Sequence, residues 1–212
     1  VSSPFAEILA ALAGAFASAG LRWYLFGAQA AIIHGAARLT ADVDVTVHLD
    51  GTPTQALADA LLDAGFTLRV PDPDFVARTR VLPVTHAASG IPADIVLAGP
   101  GIEEMFLARA KVLDVDGVGV PVACAEDLVV MKLLAGRAKD VDDVVAILAA
   151  HPEDLDLDLV RGTVRMLEEA LDQSDLTPLL DQALASARSV AGPRPARPPR
   201  RASPKVKRNR KR

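Results

Sequence analysis

Residues 23–49, WYLFGAQAAIIHGAARLTADVDVTVHL, decide the fold, because elements of different period meet there. Residues 23–26 are a short apolar run ending at Gly27, and residues 28–34 read as a helix before a second glycine, Gly35. The implied order is strand, tight turn, helix. A helix that opens directly after a glycine turn aims free backbone N–H groups and the positive end of its dipole at whatever precedes it, which suits a phosphate. Residues 42–49, DVDVTVHL, then alternate charged or polar residues with valine and leucine, the pattern of a half-buried strand. Residues two apart on a strand share a face, so Asp42 and Asp44 project together while Val43, Val45 and Val47 face a core. Two carboxylates so placed repel, and they persist when solvated, when sharing a proton or when holding a cation such as Mg2+. The same triplet also fits a turn residue at the strand start followed by a solvated outward residue.

Composition bounds the possibilities. Half of the 212 residues are apolar, enough for a globular core, and the apolar stretches are broken by Gln29, His34, Lys132 and Arg137 before they reach the length of a membrane span. Residues 2–19 are alanine-rich but carry Glu7 and lack a basic leader, so they read as an amphipathic helix. A single cysteine, Cys124, rules out an internal disulfide and a cysteine-based metal cluster, in keeping with a reducing cytoplasm. Charge is unevenly spread. Residues 191–212 hold ten Lys or Arg, five prolines and no acid, leaving 13 basic against 27 acidic residues elsewhere, a body charge of −14. Such a tail is expected to be disordered, either gripping RNA or DNA, or solubilising the chain and folding back on its acidic body.

Outward from the opening stretch, residues 4–18 repeat apolar residues at helical spacing with Ser3 as N-cap, and residues 54–64 read as a helix closed by Gly65. Residues 66–70 and 78–84 read as strands around a turn at 71–74. Residues 91–97, IPADIVL, form a strand whose only charge is Asp94, and a carboxylate among such residues needs a cation or hydrogen bonds to compensate it. Asp94 on a strand beside Asp42 and Asp44 would complete an oxygen cage; alone it also fits an edge position beside Pro92. Residues 101–110 read as a helix, and 112–115 with 118–122 as a hairpin about Asp116–Gly117. From residue 123 the pattern is helical, with helices expected over 124–134, 137–150, 158–173 and 177–189. Lys132 on the first of these also fits a solvent-seeking helix lysine. No chemistry is assigned to His34, His48, His86 or His151.

The order G-A-Q-A, then R-L-T-x-D-V-D, a lone strand aspartate, and an E-D-L-x-x-x-K-L helix running into R-x-K-D-x-x-D resembles the nucleotidyltransferase superfamily of polymerase-beta-like fold. More narrowly it is similar to the AbiEii-type branch of toxin–antitoxin and phage-defence systems. The resemblance spans residues 21–150. It implies NTP- and Mg2+-dependent transfer of NMP to an acceptor hydroxyl on RNA, a small molecule or a protein, and a possible cognate antitoxin. It also implies that Asp42 and Asp44 hold two Mg2+ ions, that Asp94 binds one and acts as general base, and that Lys132 contacts nucleotide phosphates. Gly27 and Ala28 form the phosphate turn, Arg38 is a phosphate contact or a brace on the aspartates, and Thr40 orients the strand start. Two departures stand out. The usual Gly-Ser or Gly-Gly turn is Gly27–Ala28, without a hydroxyl, and Lys139, Asp140, Asp142 and Asp143 offer several acids after the motif lysine, of which Asp140, closest to Lys132, is chosen.

The expected fold is α+β: a core over residues 1–122 with a mixed sheet, a helical subdomain over 123–190, and the basic tail 191–212; an open doubly wound α/β sheet is the alternative. The rival activities are γ-phosphoryl transfer on the same fold, and a non-catalytic nucleotide-binding or antitoxin-like regulator.

Overall fold

The computed structural model describes residues 3–190; the basic tail lies outside the described residues. The elements follow in the order α1 (Pro4–Ser18), β1 (Arg22–Phe26), α2 (Gly27–Ile33), β2 (Val43–His48), α3 (Thr54–Asp63), β3 (Phe66–Leu68), α4 (Pro73–Thr79), β4 (Val81–His86) and β5 (Pro92–Leu97). They continue with α5 (Ile102–Arg109), β6 (Lys111–Val115), β7 (Val118–Val122), α6 (Ala125–Ala135), α7 (Ala138–Ala150), α8 (Leu157–Leu171) and α9 (Leu176–Val190).

The strands form one seven-stranded sheet in the order β3-β4-β5-β2-β1-β7-β6. β2 runs parallel to β5 and β1 to β7, and the other neighbours are antiparallel. The sheet is therefore mixed, and the fold is α+β of the expected kind and not doubly wound. Valine and isoleucine at alternate positions create the core: Val43, Val45 and Val47 of β2 and Ile95 of β5 are each 0% exposed. Burying a side chain of this size stabilises the fold by about 1.5–3 kcal/mol. The same period of two sends Asp44 and Asp94 to the other face.

Helix α1 starts where expected, with the Ser3 hydroxyl accepting from the Ala6 N–H at 3.0 Å and Pro4 in the first turn, and it packs on α3, β1 and β7. The site face is organised by α2, which contacts β1, β2, α6 and α7. Arg109 at the end of α5 grips the buried Asp127 of α6 through two hydrogen bonds of 2.9 and 2.6 Å. That clamp fixes the helix that carries Lys132. Beyond it, α6 to α9 pack on one another around Leu128, Val144, Ile147, Val160, Val164 and Leu180.

Residues 71–74 are not simply a turn. Asp72 accepts from the Asp74 N–H at 2.9 Å and Pro73 opens α4, so β4 begins only at Val81. Asp-Pro is both a turn signal and an N-cap signal, and the apolar contact of Val76, 5% exposed, decides between them.

Candidate active site

Cross-strand register builds the site. Phe26 pairs with Asp44, Asp44 with Asp94 and Asp94 with Pro83, a row across β1, β2, β5 and β4. The chain then turns at Gly27, whose φ of +69° suits glycine. A Cβ there would lie 1.9 Å from Asp44 Oδ2, so the turn is glycine as much to admit this carboxylate as to bend. The Ala28 N–H donates to Asp44, so one of the free donors at the start of α2 is already used.

Asp44 is half-buried, and burial pushes its carboxyl above the usual range; the charges of Asp94 and Asp42 push the same way, against the Ala28 N–H and Lys132. Asp42 lies one residue before β2 and is exposed, its N–H donating to the Thr40 hydroxyl at 3.4 Å. The Thr40 carbonyl in turn accepts from Gln29 Nε2 at 3.3 Å, tying the α2–β2 loop back to α2. Asp94 is neither buried nor unpaired: its side chain is 44% exposed, and Arg69 Nη2 donates to its Oδ1.

Facing the carboxylates is a chain of alternating charge. Lys132 Nζ donates to Asp143 Oδ2 at 2.6 Å and to Asp140 Oδ1 at 3.2 Å, all three side chains being buried. Arg38 Nη1 donates to Asp143 at 2.8 Å, and Arg137 Nε to Asp140. Arg38 thus braces Asp143 and not Asp42 or Asp44. Burial pushes Asp140 up, but the hydrogen bonds and charges of Arg137 and Lys132 outweigh it and hold the carboxyl below its ordinary value. Three cations against two carboxylates leave this chain net positive, and its ends, the half-exposed Arg38 and the exposed Arg137, reach solvent.

Gly27, Ala28, Arg38, Thr40, Asp42, Asp44, Asp94, Lys132 and Asp140 all line one cleft of about 270 Å3, together with Phe26, Leu128, Met131, Ala135, Arg137 and Lys139. Arg137 and Arg69 are charged partners that local reading does not single out, and Asp143 is a candidate acid that it names but passes over for Asp140. Two of the three carry a signal, because Arg137, the residue before α7, and Asp143 within it stand three residues either side of Asp140. Arg69 carries none, since its nearness to Asp94 depends on pairing β3, β4 and β5.

Among the described residues, no three His, Cys, Asp or Glu side chains are grouped closely enough to hold an ion by themselves. The donor set matches the habit of Mg2+, which dehydrates reluctantly and is held through one or two carboxylates together with phosphate oxygens and water. Asp44 and Asp94 at matched register, mutually repelling and open to the cleft, supply such a partial ligand set.

No functionally curated protein matches the chain. Among solved structures it is similar to the antibiotic-resistance factor ANT(2'')-Ia in solution, at 12% identity and a TM-score of 0.56, covering 79% of this chain and 94% of that one. It is also similar to an antigenic nucleotidyltransferase-like protein from Paracoccidioides brasiliensis, at 17% identity and a TM-score of 0.51, covering 88% and 94%. At these identities the likeness is one of fold. The family model described as a nucleotidyltransferase of unknown function (DUF6036) matches residues 18–174, most of the chain and every residue of the cleft, and the chain belongs to that nucleotidyltransferase family.

Proposed function

We propose that this protein binds an NTP with Mg2+ in the cleft and transfers its nucleoside monophosphate to an acceptor hydroxyl. The observation that carries the reading is the matched pairing of Asp44 with Asp94 beside the Gly27 turn, two carboxylates opposite a net-positive wall. In this reading Asp42, Asp44 and Asp94 hold the divalent cations, two by resemblance. Bound there, Mg2+ neutralises charge at the attacked phosphorus and favours ionisation of the attacking hydroxyl.

The chain's own residues do the rest. Arg38, Arg137 and Lys139 face the triphosphate, while Lys132, held by Asp140 and Asp143, keeps the cationic wall in place. Asp94 takes the proton of the acceptor hydroxyl. The acceptor oxygen bonds to the α-phosphorus, the bond from that phosphorus to the bridging oxygen of the β-phosphate breaks, and its electron pair leaves with pyrophosphate. The similar ANT(2'')-Ia is an antibiotic-resistance factor, which puts a small molecule beside RNA and protein among the acceptors to test.

Parallel incubations with α- and γ-labelled NTPs and pooled RNA, protein and small-molecule acceptors test the reading. The expected result is transfer of the α label with release of pyrophosphate. Transfer of the γ label without pyrophosphate would instead establish phosphoryl transfer. Absence of any thermal stabilisation by saturating Mg2+ and NTP would leave a fold without nucleotide binding, because a ligand that prefers the native state must raise stability.

A further inference from the structure

We infer that Arg69 is an acceptor-binding residue, taking a phosphate of the acceptor next to the attacking hydroxyl; the assignment rests on the nucleotidyl-transfer reading above. Thr67 pairs with Thr85 and Leu68 with Val84, so Arg69 falls opposite Pro83, and its N–H donates to the Pro83 carbonyl at 2.9 Å. Pro83 pairs with Asp94 and Asp94 with Asp44. Along the site face the order is therefore Gly27 turn, Asp44, Asp94, Arg69. The nucleotide cleft occupies the first three positions, and Arg69 is outside it, on the far side of Asp94.

A hydroxyl that gives its proton to Asp94 must reach that carboxylate from the flank the nucleotide leaves open. That flank is the β4–β3 edge. Beside the buried Pro83, its side chains on the site face include the exposed Thr67, the half-buried Thr85 and Arg69, and among the described residues that share this face on β3, β4 and β5, Arg69 is the only Lys or Arg. Arg69 is 40% exposed, and only its Nη2 is engaged, by Asp94 Oδ1 and the Ala93 carbonyl. Nε and Nη1 have no hydrogen-bond partner among the described residues, so donors of a planar fork that matches phosphate geometry face solvent.

Two features favour an anionic acceptor over a cationic one. A cation at Asp94 competes with Arg69 for one carboxylate, and a phosphate gives the displaced guanidinium a new partner. A polycationic acceptor would meet that guanidinium instead. The −14 charge of the body repels polyanions at long range, so a phosphate-bearing acceptor needs a cation at the point of chemistry; the ten Lys or Arg of residues 191–212 share the preference.

The test uses the full chain with Mg2+, with and without an NTP analogue that cannot be cleaved between its α- and β-phosphates. Two 5′-labelled ribotrinucleotides serve as probes, one with phosphodiester linkages and one whose 3′-terminal linkage is an uncharged methylphosphonate. The probes differ by one charge, which the cationic residues 191–212 also sense, so Arg69 is read from the part of the preference that its replacement removes. The parent protein should prefer the charged probe by about tenfold, the size of a charge-assisted contact. Arg69→Ala should lose most of the preference, Arg69→Lys should keep a larger part of it, and neither should change stabilisation by the NTP analogue. Ribose 5-phosphate supplies the second arm: competition with the charged probe in the parent but not in Arg69→Ala identifies a small phosphorylated acceptor, and failure to compete identifies a polynucleotide. The proposal is overturned if the parent shows no preference, if Arg69→Ala keeps it in full, or if Arg69→Ala loses NTP stabilisation as Asp44→Ala does. Absence of NTP stabilisation in the parent would refute nucleotidyl transfer separately, while the probe comparison without nucleotide still reads Arg69.

Discussion

The helical and the sheet flanks of the site use the same chemistry, cation against carboxylate, at opposite depths. On the helical side Lys132 sits between Asp140 and Asp143 with all three side chains at most 7% exposed, whereas on the sheet side Arg69 and Asp94 are 40% and 44% exposed. Depth decides what a pair can do. A buried triad cannot release a partner without stranding a charge, so it acts as framework. A pair in water is worth about 0–1 kcal/mol and can exchange partners in the course of a reaction.

Replacing Lys132 with Met is the harshest test of that contrast. It leaves two buried carboxylates without their shared ammonium and should cost about 3–5 kcal/mol, lowering the melting temperature by roughly 10 °C. A melt that stays within about 2 °C of the parent would place the triad with the exchangeable pairs. Next comes Gly27→Ala, whose new methyl would collide with Asp44 Oδ2 at a positive φ. Strain of this kind costs on the order of 1–3 kcal/mol, and activity should fall further than stability because Asp44 must leave its place; comparing the variant's melt with its rate of α-label transfer separates the two.

A smaller effect on the framework side comes from His34, whose Nε2 lies 2.8 Å from the Ala123 carbonyl and whose pKa is lowered by burial. Because the folded protein resists this proton, stability present above the unfolded value of about 6.5 should be lost as the pH falls through the lower folded value. His34→Gln should flatten that part of the melting-temperature profile; an unchanged slope would assign it to other groups. The smallest change in stability is expected for Arg69→Ala, no more than about 1 kcal/mol by chemical denaturation. A larger loss would make the sheet-side pair framework too.

How far the sequence reaches follows from the range of the contacts involved. Strand β2 and its two aspartates are legible because alternation is local, and the turn at Gly27 because glycine marks it. The motif order also points to the nucleotidyltransferase superfamily, while the narrower AbiEii-type branch stays a resemblance. Helix α4 is hidden because Asp72–Pro73 reads as a turn until Val76 finds its neighbours. Asp94 looks buried in the string IPADIVL, yet its side chain is 44% exposed and paired with Arg69, and only the sheet order reveals that partner. Lys132 reads as a phosphate contact from its motif, whereas its two carboxylate partners require the angle at which α7 folds back on α6.

The row from Phe26 through Asp44 and Asp94 to Pro83 also bears on how such a protein can lose its activity over time. Sliding β5 by one residue against β2 would turn Asp94 into the core and Ile95 out of it, so misalignment and unfolding are the same event. A lineage cannot drift into a folded but misassembled site by small shifts of register. If the site transfers nucleotides as proposed, that activity is lost by replacing a side chain, an aspartate or Gly27 beside it, and a descendant that keeps both aspartates and this strand register has kept the pair aligned.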